Sequence, residues 1–257
     1  MEIIEINLLI QQAIEAAKKA SAGILEVYHS EDFQTETKGD QSPLTLADRK
    51  AHQIIVETLK PSGLPVLSEE GRAIPFEVRK EWEYFWMVDP LDGTKEFLKK
   101  NGEFTVNIAL IHRNAPIAGV VSIPVGGVTY YGGKGIGVFR ETADGVIQLA
   151  IRGPVDLNSS GLRVVASRSH MDERTTTFIA SLNDPVLVSR GSSLKFMLLA
   201  DGEADVYPRF APTMEWDTAA PHALLIELGI QVINTETNEP LTYNKENLLN
   251  PFFKAWA

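Results

Sequence analysis

Residues 85–97 read FWMVDPLDGTKEF, an apolar run followed by two aspartates three positions apart. The apolar run predicts a buried strand that stops at the proline. Asp89 would then lie at the carboxyl end of a strand, where ligand sites of α/β proteins gather. Gly93 and Thr94 predict the first turn of a helix, whose free N–H groups bind phosphate. A plain turn, with Asp92 as a helix cap, is the alternative interpretation.

Carboxylates as close as this pair repel each other unless a cation lies between them. A site with oxygen ligands only indicates Mg²⁺ or Mn²⁺. Glu69 and Glu70 end another predicted strand, Asp217 starts a predicted helix, and Asp48 lies in the first turn of another. Taken singly, each of these four is more often a surface charge or a helix cap.

Composition limits the function classes. The chain has 257 residues, of which 44% are hydrophobic, and a net charge of −10. This size suits one large domain or two packed halves. The acidic charge disfavours nucleic-acid polymers, whereas a small phosphorylated substrate stays open because bound cations reverse the local charge. The absence of cysteine excludes disulfides, zinc–thiolate sites, iron–sulfur clusters and a cysteine nucleophile.

The hydropathy pattern predicts no signal peptide and no membrane span, so we expect a cytoplasmic protein, with peripheral membrane association left open. Apolar positions at helical spacing predict helices over residues 4–29 and Leu46–Leu59. Strands follow one another up to about residue 151, and strands alternate with helices afterwards. We therefore expect an N-terminal α+β subdomain, residues 1–155, and a C-terminal α/β subdomain, residues 156–257, that share one interface.

Three stretches, PVLSEE, WMVDPLDGTKEF and WDTAA in this order, resemble the inositol-monophosphatase superfamily of metal-dependent, lithium-sensitive phosphatases. The resemblance runs from Asp48 to about His222. Within the superfamily, Lys-Glu-Phe after DGT, with SRSH, GSSLKF and YPRF, is most similar to bacterial 3′(2′),5′-bisphosphate nucleotidases. It implies a layered αβαβα sandwich of the sugar-phosphatase type. It also implies Mg²⁺-dependent hydrolysis of adenosine 3′,5′-bisphosphate to AMP and phosphate, as part of sulfur metabolism. The sulfated form of this nucleotide is a further expected substrate, which would lose the same 3′-phosphate.

The resemblance also assigns roles to matching residues. Two to three Mg²⁺ ions, with Mn²⁺ as the alternative, would be held by Glu69, Asp89, the carbonyl of Leu91, Asp92 and Asp217. Asp89 would bridge two ions, and a third, weaker ion would lie near Glu69. Thr94, polarised by Asp48, would orient the attacking water, assisted by Glu70. The substrate would contact the ligands Glu69, Leu91, Asp92 and Asp217, the N–H groups of Gly93 and Thr94, and the side chains of His170, Ser192, Lys195 and Arg209. The last four also fit ordinary cap, surface or loop positions.

One position departs from the resemblance. The family usually has WDxAAG, whereas this chain has WDTAAP, with Pro221 in place of the glycine. Proline is well tolerated only in the first turn of a helix. We therefore expect the helix to begin late or its backbone to shift, with more effect on substrate geometry than on metal binding.

The rate acceleration that phosphate-monoester hydrolysis requires favours the metal-dependent interpretation. Enzymes accelerate phosphate-monoester hydrolysis by up to ~10²¹, and a positioned general base supplies only about 10²–10⁴. Metal ions that neutralise charge and activate water would supply most of the remainder.

A phospho-aspartate route uses D-x-D, whereas the spacing here is D-x-x-D, so direct attack by water is favoured. Inositol phosphates or fructose 1,6-bisphosphate are alternative substrates, and a non-catalytic nucleotide or metal sensor is a third hypothesis.

Overall fold

The computed structural model describes residues 2–30, 36–37, 43–166 and 171–257. The helices are α1 Ile3–Tyr28, α2 Leu46–Leu59, α3 Phe76–Arg79, α4 Thr94–Leu98, α5 Glu173–Ala180, α6 Leu194–Ala200 and α7 Glu215–Glu227, and a 3₁₀ turn covers Lys60–Ser62. The strands are β1 Glu36–Thr37, β2 Pro43–Leu44, β3 Val66–Ser68, β4 Tyr84–Asp92, β5 Thr105–His112, β6 Ala115–Ile123, β7 Val128–Gly133, β8 Gly137–Thr142, β9 Gly145–Gln148, β10 Arg163–Val165, β11 Val186–Val188, β12 Val206–Arg209, β13 Gln231–Asn234 and β14 Phe253–Trp256.

Two large sheets organise the chain. The seven-stranded sheet follows chain order from β3 to β9, with β3 parallel to β4 and every later pair antiparallel. The five-stranded sheet has the order β11-β10-β12-β14-β13, and β10 is parallel to both of its neighbours. β1 and β2 form a separate antiparallel pair.

The alternation of side chains along β4 shows how the layers stack. Trp86 and Val88 face a core formed with α1 and α2, whereas Phe85 and Met87 face the core shared with α6, α7 and the five-stranded sheet. Beyond that sheet, α5 packs on β10 and β12. The order is helices, sheet, helices, sheet, helix, which confirms the expected αβαβα sandwich.

Both long N-terminal helices are confirmed, and α2 has the expected bounds. The strand predicted to stop at the proline is wrong, because β4 continues to Asp92. The register shifts between Asp89 and Asp92, so Pro90 lies within an irregularity of the ladder. The late start expected for the helix around Pro221 is also wrong, since α7 begins at Glu215. The strand β14 was not predicted from the sequence.

The strands of the seven-stranded sheet all precede position 155, and those of the five-stranded sheet all follow it. A division into subdomains at that position remains our proposal, and one hydrophobic cluster contains residues of both sheets. Within the part of the chain that the structure describes, no helix has the length and hydropathy needed to span a membrane.

Helix α7 contacts the seven-stranded sheet backbone to backbone at Gly119 of β6. A Cβ atom at Gly119 would lie 2.2 Å from the carbonyl oxygen of Ala220 in α7. No side chain fits there without moving the helix, so this contact fixes how deeply α7 lies against the sheet.

We predict that Gly119→Ala lowers the free energy of unfolding by about 1–3 kcal/mol, because overpacking a tight contact forces the backbone to move. Denaturant unfolding measures the change. Gly153→Ala is the matched control, since no atom lies within 4 Å of its added Cβ. Equal unfolding midpoints for the two variants would contradict the prediction.

Candidate active site

Strand pairing brings the first two acidic residues together. β3 runs parallel to β4 with Ser68 opposite Val88, and the N–H of Glu69 donates to the carbonyl of Val88 at 3.1 Å. Glu69 therefore follows the end of β3 beside Asp89, whose side chain is buried. The N–H of Leu91 donates to Asp89 Oδ1 at 3.0 Å and fixes that carboxylate.

The first turn of α7 adds a third carboxylate from far along the chain. The N–H of Met214 donates to Asp217 Oδ2 at 2.9 Å. Ligand oxygens of Glu69, Asp89 and Asp217 lie within 4.8 Å of one another. Three convergent carboxylates, with no nitrogen or sulfur ligand among them, fit a hard cation such as Mg²⁺ or Mn²⁺.

The electrostatics of this group also favour a cation. Burial raises the pKa of Asp89 well above its ordinary value, and the neighbouring charges of Glu69, Asp92 and Asp217 raise it further. Burial, followed by the charge of Asp92, likewise raises the pKa of Asp217. A bound cation would replace the protons that these carboxyl groups otherwise retain.

Asp92 lies beside this group but is held by a different part of the chain. Its Oδ2 accepts hydrogen bonds from Ser192 Oγ at 2.6 Å, Ser193 N at 2.7 Å and Ser193 Oγ at 2.7 Å. Ser192 adopts a left-handed conformation with φ of 51°, which is uncommon for a residue with a side chain. Within the described residues, the hydrogen bonds of Asp92 all use Oδ2, which leaves Oδ1 for a metal ion.

Gly93 makes the tight turn between Asp92 and α4. Its φ is 97°, and an added Cβ would lie 3.2 Å from the carbonyl oxygen of Glu103. Both the backbone angle and the space therefore require glycine. Gly93 is the N-cap residue and Thr94 is the first residue of α4, as expected from the sequence.

Thr94 and Asp48 form the expected pair. Thr94 Oγ1 donates to Asp48 Oδ1 at 3.1 Å, with the carbonyl of Leu91 as a longer alternative at 3.4 Å. Asp48 Oδ2 accepts from Thr45 N at 2.8 Å and Thr45 Oγ1 at 2.5 Å. Burial raises the pKa of Asp48, hydrogen bonds from Thr45 lower it, and the charge of nearby Glu70 raises it. Glu70 thus lies within electrostatic reach of this pair.

A cleft of about 610 Å³ opens beside these residues. Its lining includes Asp92, Gly93, Lys95, Lys99, Arg190, Ser192, Lys195, Arg209 and Asp217. Lys195 Nζ donates to the carbonyl of Ser192 at 3.2 Å, and Arg209 Nη2 to the carbonyl of Pro212 at 3.1 Å. Arg209 Nε is buried with no hydrogen-bond partner among the described residues. His170, expected to contact the substrate, lies outside the described residues.

Several polar residues that support Asp92 through Ser192 and Ser193 were not predicted from the sequence. Asn107 Nδ2 donates to Ser193 Oγ at 2.9 Å, and Thr105 Oγ1 lies 2.7 Å from Ser192 Oγ. The sequence did contain a signal, because Thr105 and Asn107 are two positions apart and therefore lie on the same face of a buried strand. Buried polar side chains need hydrogen-bond partners. Nothing in the sequence indicated that their partners are Ser192 and Ser193.

Comparisons with known proteins identify the relatives of this chain. The model of the inositol monophosphatase family matches residues 6–253. The 3′(2′),5′-bisphosphate nucleotidase CysQ of Salmonella typhimurium is 43% identical over 252 residues, covering 96% of this chain and 99% of that protein. The crystal structure of CysQ from Bacteroides thetaiotaomicron superposes with a TM-score of 0.83, at 46% identity and 96% coverage of both chains. The suhB protein of Bartonella henselae is 22% identical, with a TM-score of 0.77 over 97% of this chain and 93% of that one, and shows the shared fold alone.

The carboxylate group predicts how the stability of the metal-free protein depends on pH. Because folding raises the pKa of Asp89 and Asp217, their contribution to stability is present below their ordinary pKa and is lost as pH rises through the folded pKa. The melting temperature of the metal-free wild type should therefore fall relative to that of the Asp89→Asn/Asp217→Asn variant as pH rises above the ordinary aspartate pKa of about 3.9. Added Mg²⁺ should stabilise the wild type more at the higher pH. Parallel melting curves for the two metal-free proteins would contradict the prediction.

Proposed function

The chain belongs to the inositol monophosphatase family, and on that premise we propose that it is a 3′(2′),5′-bisphosphate nucleotidase. It hydrolyses adenosine 3′,5′-bisphosphate to AMP and phosphate. Nucleotidases that are 43% identical over almost the full length of both chains support this activity. Sulfated adenosine 3′,5′-bisphosphate is a second substrate of the same chemical class.

The cleft is the observation that carries the proposal. One continuous space is lined by two of the proposed metal ligands, Asp92 and Asp217, and by the cations Lys195 and Arg209, together with Glu96 and Glu103. A substrate with two phosphates can place one near the metal ligands and the other near the cations. An inositol monophosphate has no second phosphate to place near these cations.

The metal requirement is part of this proposal. Mg²⁺, in two to three sites and with Mn²⁺ as a substitute, would be held by Glu69, Asp89, the carbonyl of Leu91, Oδ1 of Asp92 and Asp217. When bound, it neutralises charge on the phosphoryl group and makes a nucleophile available at neutral pH. Oxygens of Glu69, Asp89 and Asp217 within 4.8 Å of one another support these three members of the ligand set.

Thr94 and Asp48 orient the attacking water. Because Thr94 Oγ1 donates its hydrogen to Asp48 Oδ1, its lone pairs are available to accept a hydrogen from water. The Thr45 contacts hold the second oxygen of Asp48, so the first stays directed at Thr94. Glu70, which raises the pKa of Asp48 through its charge, assists from the same side.

The remaining contacts position the substrate. The N–H groups of Gly93 and Thr94 donate to the scissile phosphate, and Ser192, Lys195 and Arg209 bind the nucleotide. Inhibition by lithium and calcium, a cytoplasmic location and the lack of binding to nucleic-acid polymers stay predictions from the sequence.

We predict that Thr94→Val lowers kcat by about 10²–10⁴-fold, the range for loss of a positioned proton-transfer group. Thr94→Ser keeps the hydroxyl and should retain most of the activity. Asp48→Asn should lower kcat in the same way with a smaller change in KM. Steady-state kinetics under saturating Mg²⁺ measure these effects. Equal rates for the valine and serine variants would show that the Thr94 hydroxyl does not orient water.

A phosphate-release panel tests the activity itself. The substrates are adenosine 3′,5′-bisphosphate, its sulfated form, inositol 1-phosphate and fructose 1,6-bisphosphate, each with Mg²⁺ and with a chelator. The highest kcat/KM is expected for adenosine 3′,5′-bisphosphate, only with Mg²⁺, and Asp92→Asn should abolish it. A preference for inositol or sugar phosphate would replace the proposed substrate. Tight nucleotide binding without turnover would instead indicate a sensor.

A further inference from the structure

Pro221 lies well inside α7, where proline is usually excluded. It is the seventh residue of a helix that spans Glu215–Glu227. Proline has no N–H, so the helical hydrogen bond from position 221 to the carbonyl of Asp217 cannot form. The proline ring also crowds that carbonyl and turns it away from the helix axis. The consequence falls on Asp217, one of the three convergent carboxylate residues.

The carbonyl of Asp217 has a different donor. Ser193 Oγ lies 2.9 Å from it and is positioned to donate a hydrogen bond. Ser193 is 1% exposed, so little water reaches its side chain. A side chain from the segment before α6 thus takes the place of the missing helical N–H.

Ser193 also contacts Asp92. Its N–H and its Oγ both lie 2.7 Å from Asp92 Oδ2, and Asn107 Nδ2 donates to the same hydroxyl oxygen at 2.9 Å. A hydroxyl has one hydrogen to donate, so Asp92 Oδ2 and the carbonyl of Asp217 share it as alternative acceptors. Asn107 orients the oxygen so that both acceptors stay within reach.

We propose that Ser193 is a positioning residue that sets the distance between Asp92 and Asp217, and that Pro221 makes the Asp217 carbonyl available to it. The inference rests on the proposed function in one respect, namely that Asp92 and Asp217 hold a divalent cation. Ser193 acts through these two residues and has no assigned contact with the substrate.

The physical reason is the repulsion between the two carboxylates. The two carboxylates lie near enough for the charge of Asp92 to act on Asp217, so without a cation they repel each other. Each carboxylate is anchored by a backbone donor. The N–H of Ser193 donates to Asp92 Oδ2, and the N–H of Met214 donates to Asp217 Oδ2. The Ser193 hydroxyl lies within hydrogen-bond distance of Asp92 Oδ2 and of the Asp217 carbonyl, so it joins these two anchored units. Supporting hydrogen bonds of this kind typically change metal affinity by about 10–100-fold.

Calorimetric titration of the full-length, metal-free protein with Mn²⁺ tests the proposal, with circular dichroism and thermal unfolding of each variant as the check on folding. Ser193→Ala should weaken Mn²⁺ binding by about 10–100-fold, and Ser193→Thr, which keeps the hydroxyl, should restore most of the affinity. Ser122→Ala is the matched control. Ser122 is also a buried serine, within hydrogen-bond distance of Ser21 and Thr129. Its loss should lower stability and leave Mn²⁺ affinity unchanged.

Pro221→Ala tests the second half of the proposal. The alanine N–H would compete with Ser193 for the carbonyl of Asp217. The loss of affinity caused by Ser193→Ala should therefore be smaller in this background, by about threefold or more, as expected for groups in one hydrogen-bond network. Equal losses in both backgrounds would remove Pro221 from the proposal.

The outcomes separate this inference from the proposed function. If wild type binds Mn²⁺ and releases phosphate while Ser193→Ala binds Mn²⁺ equally well, Ser193 has only a structural role and the inference fails alone. If wild type binds no Mn²⁺, the metal-dependent function fails and the inference fails with it.

Discussion

Mutual repulsion among buried carboxylates is the constraint on which the site depends. Glu69, Asp89 and Asp217 have oxygens within 4.8 Å of one another, and Asp92 is near enough to raise the pKa of the latter two. Two unit charges about 4 Å apart repel by about 4 kcal/mol at an effective dielectric constant of about 20. The protein tolerates this arrangement only because the backbone fixes each group in place and the site can take up protons or cations.

The anchoring follows one rule. Each of the four site aspartates accepts a hydrogen bond from a backbone N–H: Leu91 N to Asp89, Ser193 N to Asp92, Met214 N to Asp217 and Thr45 N to Asp48. One carboxylate oxygen is thereby occupied, and the other is directed to a neighbour or to a ligand. Leu91 belongs to β4, Ser193 and Met214 directly precede α6 and α7, and Thr45 directly precedes α2. Tight contacts such as Gly119 against α7 therefore matter for chemistry as well as for stability.

Much of the fold could be predicted because periodicity is local. The spacing of apolar residues gave α1 and α2 nearly to the residue. The order of elements predicted α/β layering, and the family resemblance implied the αβαβα sandwich. Predictions failed where a tertiary contact overrides a local preference. β4 continues past Pro90 because a register irregularity accommodates a residue without an N–H, and α7 contains Pro221 because another donor, Ser193, reaches the carbonyl that the proline leaves free.

The sequence by itself determined which residue types the site contains: oxygen ligands only, a glycine at the tight turn, and a threonine directly after that glycine. Chemistry at that level depends on residue identity and local spacing. Only the tertiary structure decided that Glu69, Asp89 and Asp217 converge, while Asp92 is turned toward Ser192 and Ser193. Those distances depend on strand pairing and helix depth between segments more than a hundred residues apart, and such long-range geometry has no local signature in the chain.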